Sequence, residues 1–203
     1  QGQLQKQISN IINNDEFIPW KEIFFNKKES FLLVEGETDK EYFELLKSAE
    51  HGDYQLPAEI EVFPYNGCGN LKKGILLRFL KSRYKNVFIT YDLDSADSVR
   101  DAVQCLGFEK GKDHIAIGLD IPGKRNIEGM LPDCIMQKVY QENSGLIQQA
   151  MHGTTEEKNS AKQRIKKLCL QEFKEQSRPG TEYYGQFYPV VRQIKKTFKH
   201  GIE

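Results

Sequence analysis

The stretch that decides the fold is FLLVEGETDKEYFELL, residues 31–46. Its apolar beginning predicts a buried strand over Ser30–Val34, which Gly36 ends. Thr38 and Glu41 match a capping box, so a helix is expected to follow the strand through a very tight turn.

Three further segments have the apolar character of strands, and helical segments separate them. The helical segments cover residues 71–82 and 98–106, and the strands cover residues 58–67, 86–94 and 114–120. Strands that alternate with helices of this length are typical of an α/β protein with a parallel sheet. The carboxyl ends of neighbouring parallel strands then share one edge, outside which ligands bind.

The sequence outside this alternating region is helical in pattern. An amphipathic helix is expected over residues 3–18, and the pattern becomes continuously helical from about Gln137. We therefore expect an N-terminal helix and lead-in segment at 1–29, a catalytic domain at 30–136 and a helical basic extension at 137–203.

Composition excludes several classes of protein. No apolar run approaches the roughly 20 residues needed to cross a bilayer. No secretory signal is recognisable either, so a cytoplasmic location without membrane contact is expected. The four cysteines form no CxxC pair, which argues against a zinc knuckle or a disulfide scaffold. The chain also lacks a GxxxxGK[ST] loop, so it is not expected to bind ATP in the P-loop manner.

Acidic residues cluster where two of the predicted strands end. Asp92 and Asp94 lie on the same side of the third strand, and like charges this close raise each other's pKa. A divalent cation would relieve the repulsion, with Glu35 and Asp39 completing the set. Oxygen ligands suit Mg²⁺ or Mn²⁺ and argue against Zn²⁺.

Each of these carboxylates also has an ordinary structural interpretation. Glu35 alone fits the start of a helix, and Asp39 alone is favourable beside the helix dipole. Glu37 is expected to be solvated. Two acidic corners at one edge of the same sheet together favour the metal site.

Basic residues concentrate toward the C-terminus, although Lys and Arg (29) balance Asp and Glu (29) over the whole chain. A phosphate-binding surface and a solvated helix face both fit this distribution. The lysines expected to bind nucleic acid form one trio on each of two helices: Lys162, Lys166 and Lys167, and Lys195, Lys196 and Lys199.

Three motifs together resemble the Toprim domain of primases, type IA and II topoisomerases, recombination mediators and OLD-family (overcoming lysogenization defect) nucleases. They are LLVEGETDKEYF, FPYNGCGN and FITYDLDSAD. The lead-in IFFNKKES and the later GKRNIEGMLP look most like the OLD family, where this domain typically follows an ATPase. The resemblance covers about residues 20–135 and implies a Rossmann-like Toprim fold.

The resemblance implies phosphodiester cleavage assisted by two metal ions. Glu35, Asp92 and Glu128 would hold or bridge Mg²⁺ or Mn²⁺. On the same family pattern, Asp39 and Asp94 would complete the metal shells. The family also uses a basic residue that neutralises developing charge: Lys124 and Arg125 lie near Glu128, whereas Arg178 lies where the family has a lysine, and an arginine there departs from the pattern. Lys124 and Arg125 are also expected to contact nucleic acid.

The resulting expectation is a metal-dependent endonuclease, with DNA favoured as substrate, in an ATPase-coupled antiviral defence system. The ATPase would be another domain or a partner subunit, and a homo-oligomer is a further possibility. Three alternatives stay open: a nuclease for structured RNA such as tRNA, a primase-like nucleotidyl transferase, and a non-catalytic DNA-binding or assembly module. Gly67 and Gly69 fit either close backbone approach or a plain turn.

Overall fold

The computed structural model describes Ile23, residues 26–71 and residues 74–199. The helix predicted over residues 3–18 lies outside these described residues. Within them, no helix is both long enough and apolar enough to cross a membrane. All four cysteines are free thiols.

The centre of the fold is a four-stranded sheet in the order β2-β1-β3-β4. All three strand pairs are parallel, which confirms the α/β class. Each predicted strand is present, but three are shorter than the sequence pattern suggested. Their bounds are Ser30–Val34 (β1), Glu61–Pro64 (β2), Asn86–Asp92 (β3) and His114–Ile117 (β4).

Helices connect the strands and form most of the chain after β4. In the sheet region they are α1 (Glu37–Leu45), α2 (Cys68–Leu71), α3 (Gly74–Arg83) and α4 (Ala96–Cys105). Short 3₁₀ helices cover Ala49–Tyr54 and Ile127–Met130. The predicted boundary between residues 136 and 137 falls inside a helix, so we count the extension from the start of that helix. It comprises α5 (Asp133–Glu142), α6 (Ser144–His152), α7 (Thr155–Gln176), α8 (Thr181–Tyr184) and α9 (Phe187–Lys199).

The predicted cap of α1 is wrong. The helix begins at Glu37, so its N-cap is the extended Gly36, two residues before the expected cap Thr38. The carboxylate of Asp39 accepts a hydrogen bond from the Gly36 N–H at 3.2 Å. Asp39 therefore takes the part assigned to Glu41, because a first-turn carboxylate can satisfy an amide that the helix leaves free.

Side chains alternate across β1 and divide the core into two layers. Leu32 and Val34 pack in a layer with α1 and helices of the extension, whereas Phe31 and Leu33 pack with α2, α3 and α4 on the opposite face. Phe187 of α9 is fully buried in the first layer. The extension thus shares a core with the sheet, and this packing holds α7 over the carboxyl edge of the strands.

Candidate active site

Two acidic residues meet at the carboxyl edge because their strands are neighbours. Glu35 follows β1 and Asp92 ends β3, and these strands pair in parallel. The Glu35 carboxylate accepts a weak hydrogen bond from the Asp92 N–H, with Oε2 and N 3.4 Å apart. This contact holds the two predicted acidic motifs together.

Glu128 reaches the same edge through the 3₁₀ helix after β4. The Asp92 carboxylate accepts a hydrogen bond from the Ile127 N–H at 3.1 Å. The neighbouring Asp94 N–H donates to the Arg125 carbonyl at 3.1 Å. The loop that carries Glu128 is therefore fastened to the end of β3 by its backbone.

Glycines permit the close loop packing behind Glu128. A Cβ at Gly129 would lie 2.1 Å from the Lys124 carbonyl oxygen. Gly118 has a φ of +105°, and its Cβ would lie 2.6 Å from the Arg125 carbonyl carbon. A side chain at either position would push the loop out of place.

Asp39 joins from the first turn of α1 and is 3% exposed. Burial, followed by the negative charge of Glu128, raises the pKa of Asp39 to about 7. Burial, followed by the charges of Asp39 and Glu35, raises the pKa of Asp92 to about 9. Burial also raises the pKa of Glu128. We call Glu35, Asp39, Asp92 and Glu128 the carboxylate cluster.

The cation beside the carboxylate cluster is Lys166 of α7. Its Nζ lies 3.6 Å from Oε2 of Glu128. Burial disfavours the ammonium, but the charges of Glu128, Asp92, Asp39 and Glu35 outweigh it, so the pKa of Lys166 is raised. Lys166 is therefore a charged residue held among acidic groups, not an ordinary surface lysine.

Sequence reasoning placed Lys166 only among the nucleic-acid-binding lysines and missed this position. The helical spacing of the apolar residues in α7 could have indicated this position. Lys166 precedes the buried residues Cys169, Leu170 and Phe173 by three, four and seven positions, so it belongs to the buried face of α7. A lysine on an otherwise apolar face indicates a buried acidic partner.

The carboxylate cluster suits a divalent cation by its chemistry. Both carboxylate oxygens of Glu128 are buried and have no hydrogen-bond partner among the described residues. Unsatisfied carboxylate oxygens are the donors that Mg²⁺ and Mn²⁺ prefer. In the described part of the chain, however, no three His, Cys, Asp or Glu side chains already form a group that could hold a metal ion.

Two cavities meet at Glu35 and Lys166, which line both. The first cavity, of about 480 Å³, also reaches Asp92, Asp94 and Glu128. The second cavity has a volume of about 570 Å³. Its other lining residues are Gly36, Glu37, Thr38, Asp39, Asn66, Gly67, Gln163 and Lys167. The predicted residues Lys162 and Lys167 line the first and second cavities respectively.

Three other basic residues that were predicted for the site contact residues near them in the chain. Lys124 forms an ion pair with Asp133. Arg125 lies near Asp120, with 3.5 Å between Nε and Oδ1. Arg178 donates to the carbonyls of Glu175 and Ser177 at 3.3 and 2.8 Å and lines neither cavity at Glu35.

The second lysine trio lies on α9. Lys195 donates a hydrogen bond to the Asp53 carbonyl at 2.8 Å, and Lys196 is exposed. The Lys199 side chain lies outside the described part of the chain. Neither Lys195 nor Lys196 lines the two cavities at Glu35.

Gly67 stands at a turn beside the second cavity. Its φ is +98°, which favours glycine, and its N–H donates to the Glu35 carbonyl at 3.0 Å. A Cβ at Gly67 or Gly69 would meet no described atom within 4 Å. The turn geometry, and not close packing, therefore accounts for Gly67.

No protein-family model, no curated protein and no solved structure matches this chain. The functional argument consequently depends on the sequence motifs and on the geometry of the carboxylate cluster. Their agreement is specific, because Glu35, Asp92 and Glu128 come from separate motifs and lie at one edge of the sheet.

Proposed function

We propose that this chain is a Toprim endonuclease of the OLD type that hydrolyses phosphodiester bonds with Mg²⁺ or Mn²⁺. The observation that carries the proposal is the buried carboxylate of Glu128 at the edge where Glu35 and Asp92 meet. It has no hydrogen-bond partner among the described residues, and its nearest cation is the Lys166 ammonium at 3.6 Å. Buried titratable groups with strongly shifted pKa values in a cleft are typical of catalytic sites.

Divalent cations bound by the carboxylate cluster would activate a water and stabilise the leaving oxygen. The chain itself positions the ligands. The strand end and the Asp92 N–H hold Glu35, while the Ile127 N–H orients Asp92. Because Asp39 and Glu128 are buried, little reorientation is open to them.

Lys166 is proposed as the basic residue that neutralises charge on the scissile phosphate. Its side chain is 30% exposed and lines both cavities, and its Nζ lies 3.6 Å from Oε2 of Glu128. The same role was expected of Arg178, but that guanidinium binds backbone carbonyls near its own helix end. An ammonium in a half-buried site stabilises developing negative charge more effectively than one in water.

The wider setting of the activity is proposed from the resemblance alone. It comprises DNA as the favoured substrate, an ATPase domain or subunit as partner, a homo-oligomer, a cytoplasmic location and a role in antiviral defence. Lys162 and Lys167 line the two cavities and would contact the phosphate backbone on either side of the cleaved bond.

The test is cleavage of supercoiled plasmid DNA and of total RNA with Mg²⁺, with Mn²⁺ and with EDTA. Parent protein and Glu35→Gln are purified in parallel, and circular dichroism checks the fold of both. We expect metal-dependent cleavage by the parent and none by Glu35→Gln. Cleavage that persists in EDTA, or in the Glu35→Gln variant, would contradict the proposal.

A further inference from the structure

The first cavity has two chemically different ends. One end is formed by Glu35, Asp92, Asp94 and Glu128, and the other is an apolar pocket formed by α5, α6 and α7. The side chains that line the apolar pocket are Met136, Tyr140, Ile147, Ala150, Met151, Ile165 and Cys169. The carboxylate chemistry alone does not require such a wall.

Three helices build the apolar pocket by regular spacing. Met136 and Tyr140 are one turn apart on α5, and Ile147 and Met151 are one turn apart on α6. Ile165 adds a contact from α7. The pocket is therefore part of the framework of the extension and does not depend on a loose loop.

The apolar pocket exposes side chains that usually prefer burial. Tyr140 is 40% exposed and Met151 is 62% exposed. Within the described part of the chain, all nine residues of α6 are at least partly exposed. Exposed apolar surface is unfavourable by about 25 cal/mol per Å² relative to burial, so a flat apolar ligand would gain by covering it.

The position of the pocket specifies the ligand. It opens directly onto the carboxylate cluster, and Lys162 and Lys166 line the same cavity. With the divalent cations of the proposed function bound, this end and its two lysines would attract a phosphate, and an aromatic or apolar group would fill the other end. A nucleotide has both, and the cavity volume of about 480 Å³ is in the range of ligand sites.

Only an unpaired base can enter such a pocket. In a continuous duplex each base is stacked on both faces and paired at its edge, so its ring reaches Tyr140 only after unstacking and unpairing, which cost free energy. In single strands and loops, the bases can turn out and stack on aromatic side chains. The apolar pocket thus discriminates by the pairing state of the substrate.

The second cavity would favour one direction of a bound nucleic-acid strand. It lies on the other side of Glu35 and Lys166, and Asn66, Gln163 and Lys167 contribute polar groups to it. These groups suit phosphate and sugar oxygens more than the face of a base. A strand that crosses Glu35 would therefore have its base contact on one side only.

We propose that the apolar pocket binds an unpaired nucleobase adjacent to the cleaved phosphate, so that the enzyme prefers single strands and loops to continuous duplex. This inference rests on the proposed nuclease function. Tyr140 is the stacking residue, and Met151 covers the base from α6.

The test compares three substrates of the same sequence: a single strand, a hairpin whose loop carries the cleavage site, and a blunt duplex. Each is made as DNA and as RNA, which distinguishes the two sources of the base. We expect the single strand and the hairpin loop to be cleaved faster than the duplex. Tyr140→Ala should reduce kcat/KM for the single strand by roughly 5- to 150-fold, the loss expected for one base stack.

Tyr140→Phe and Ile121→Ala are the matched controls. Tyr140→Phe keeps the ring and should restore single-strand cleavage, which a requirement for the hydroxyl would not allow. Ile121 is 49% exposed and lines neither of the two cavities, so Ile121→Ala tests the loss of an exposed apolar side chain elsewhere. It should cleave like the parent.

Cleavage and binding are measured separately, so the two proposals can fail separately. Binding of an end-labelled single strand is followed by fluorescence anisotropy, with Ca²⁺ in place of Mg²⁺. Equal cleavage of duplex and single strand, unchanged in Tyr140→Ala, would overturn the base pocket and leave the nuclease proposal standing. If no substrate is cleaved, the nuclease proposal fails. Single-strand binding that weakens in Tyr140→Ala would still support the base pocket, and binding that does not weaken would overturn it.

Discussion

The carboxylate of Asp92 accepts a hydrogen bond from the backbone N–H of Ile127 at 3.1 Å, which places Glu128 beside the end of β3. This bond links two acidic motifs through residues that are 35 positions apart in the chain, and the bond from the Asp94 N–H to the Arg125 carbonyl supports it. Asp92 is 5% exposed and Glu128 is 4% exposed. Holding both carboxylates out of water is costly unless a cation compensates them.

Asp92→Asn should abolish the proposed cleavage while leaving the metal-free protein as stable as the parent or more stable. The amide oxygen can still accept the bond from Ile127, but the charge that burial, Asp39 and Glu35 disfavour is gone. Thermal melts in EDTA and plasmid cleavage with Mn²⁺ measure the two effects.

Asp97→Asn is the control for this substitution, because Asp97 is exposed and pairs only loosely with Arg100, at 3.5 Å. It should change neither cleavage nor the melting temperature appreciably. An unfolded Asp92→Asn variant would instead make Asp92 a structural carboxylate.

The stability of the metal-free protein should fall as the pH rises from about 4 toward 9. Asp39 and Asp92 have folded pKa values of about 7 and about 9, above the unfolded value. A raised pKa means that the folded state binds the proton more tightly, so its contribution is present below about pH 4 and is lost as the pH passes the folded pKa.

This pH effect is measured as the difference between two proteins, which cancels the titration of other groups. Melting temperatures of the parent and of Asp92→Asn are compared in EDTA between pH 5 and pH 9, a range chosen from the approximate folded pKa values above. The advantage of Asp92→Asn should grow with pH. An advantage that shrinks with pH would show that the Asp92 carboxylate is stabilised in its charged form.

The sequence predicted the parallel sheet and the approach of Glu35 to Asp92 because both follow from local pattern. Strand alternation and the shared carboxyl edge need no knowledge of distant contacts. Glu128 was predicted as a site residue only from the family resemblance, because its position depends on the tight loop at Gly118 and Gly129. Lys166 was missed as a site residue because the packing of α7 over the sheet is a tertiary contact that no local pattern fixes.

Lys166→Met should reduce the proposed cleavage far more than Lys167→Met or Arg178→Met. The three changes remove equal charge, but only Lys166 has its Nζ within 4 Å of Glu128 among the described residues. Loss of one group that stabilises transition-state charge costs about 10² to 10³ in kcat. Single-turnover cleavage rates are measured for the three variants. An equal loss of rate in Arg178→Met would indicate that Arg178, as first predicted, is a catalytic residue.

Replacing Lys162 and Lys167 together with Gln should weaken nucleic-acid binding and flatten its salt dependence. Both side chains are exposed and line the cavities at Glu35. Two lost phosphate contacts lower the slope of log K against log salt by roughly 1.4 to 1.8. The matched pair on α9, Lys195 and Lys196, should change the slope less.

The three acidic residues of VEGETD should differ in importance in the order Glu35, Asp39, Glu37. Glu35 lies at a rigid strand end and contacts Asp92, so Glu35→Gln should remove cleavage. Asp39 is buried but also caps α1 through Gly36, so Asp39→Asn should reduce cleavage and shift the Mn²⁺ concentration it requires.

Glu37 is the internal control of this series, because it is exposed and the described residues give it no ion pair. Glu37→Gln should therefore cleave at nearly the parent rate. Titration of Mn²⁺ against each purified variant, with the melting temperature recorded alongside, separates loss of metal affinity from loss of the α1 cap. A Glu37→Gln variant as inactive as Glu35→Gln would mean that the turn presents a different carboxylate to the metal. If all three variants cleave like the parent, the acidic residues of VEGETD serve only to begin a helix, and the nuclease interpretation is wrong.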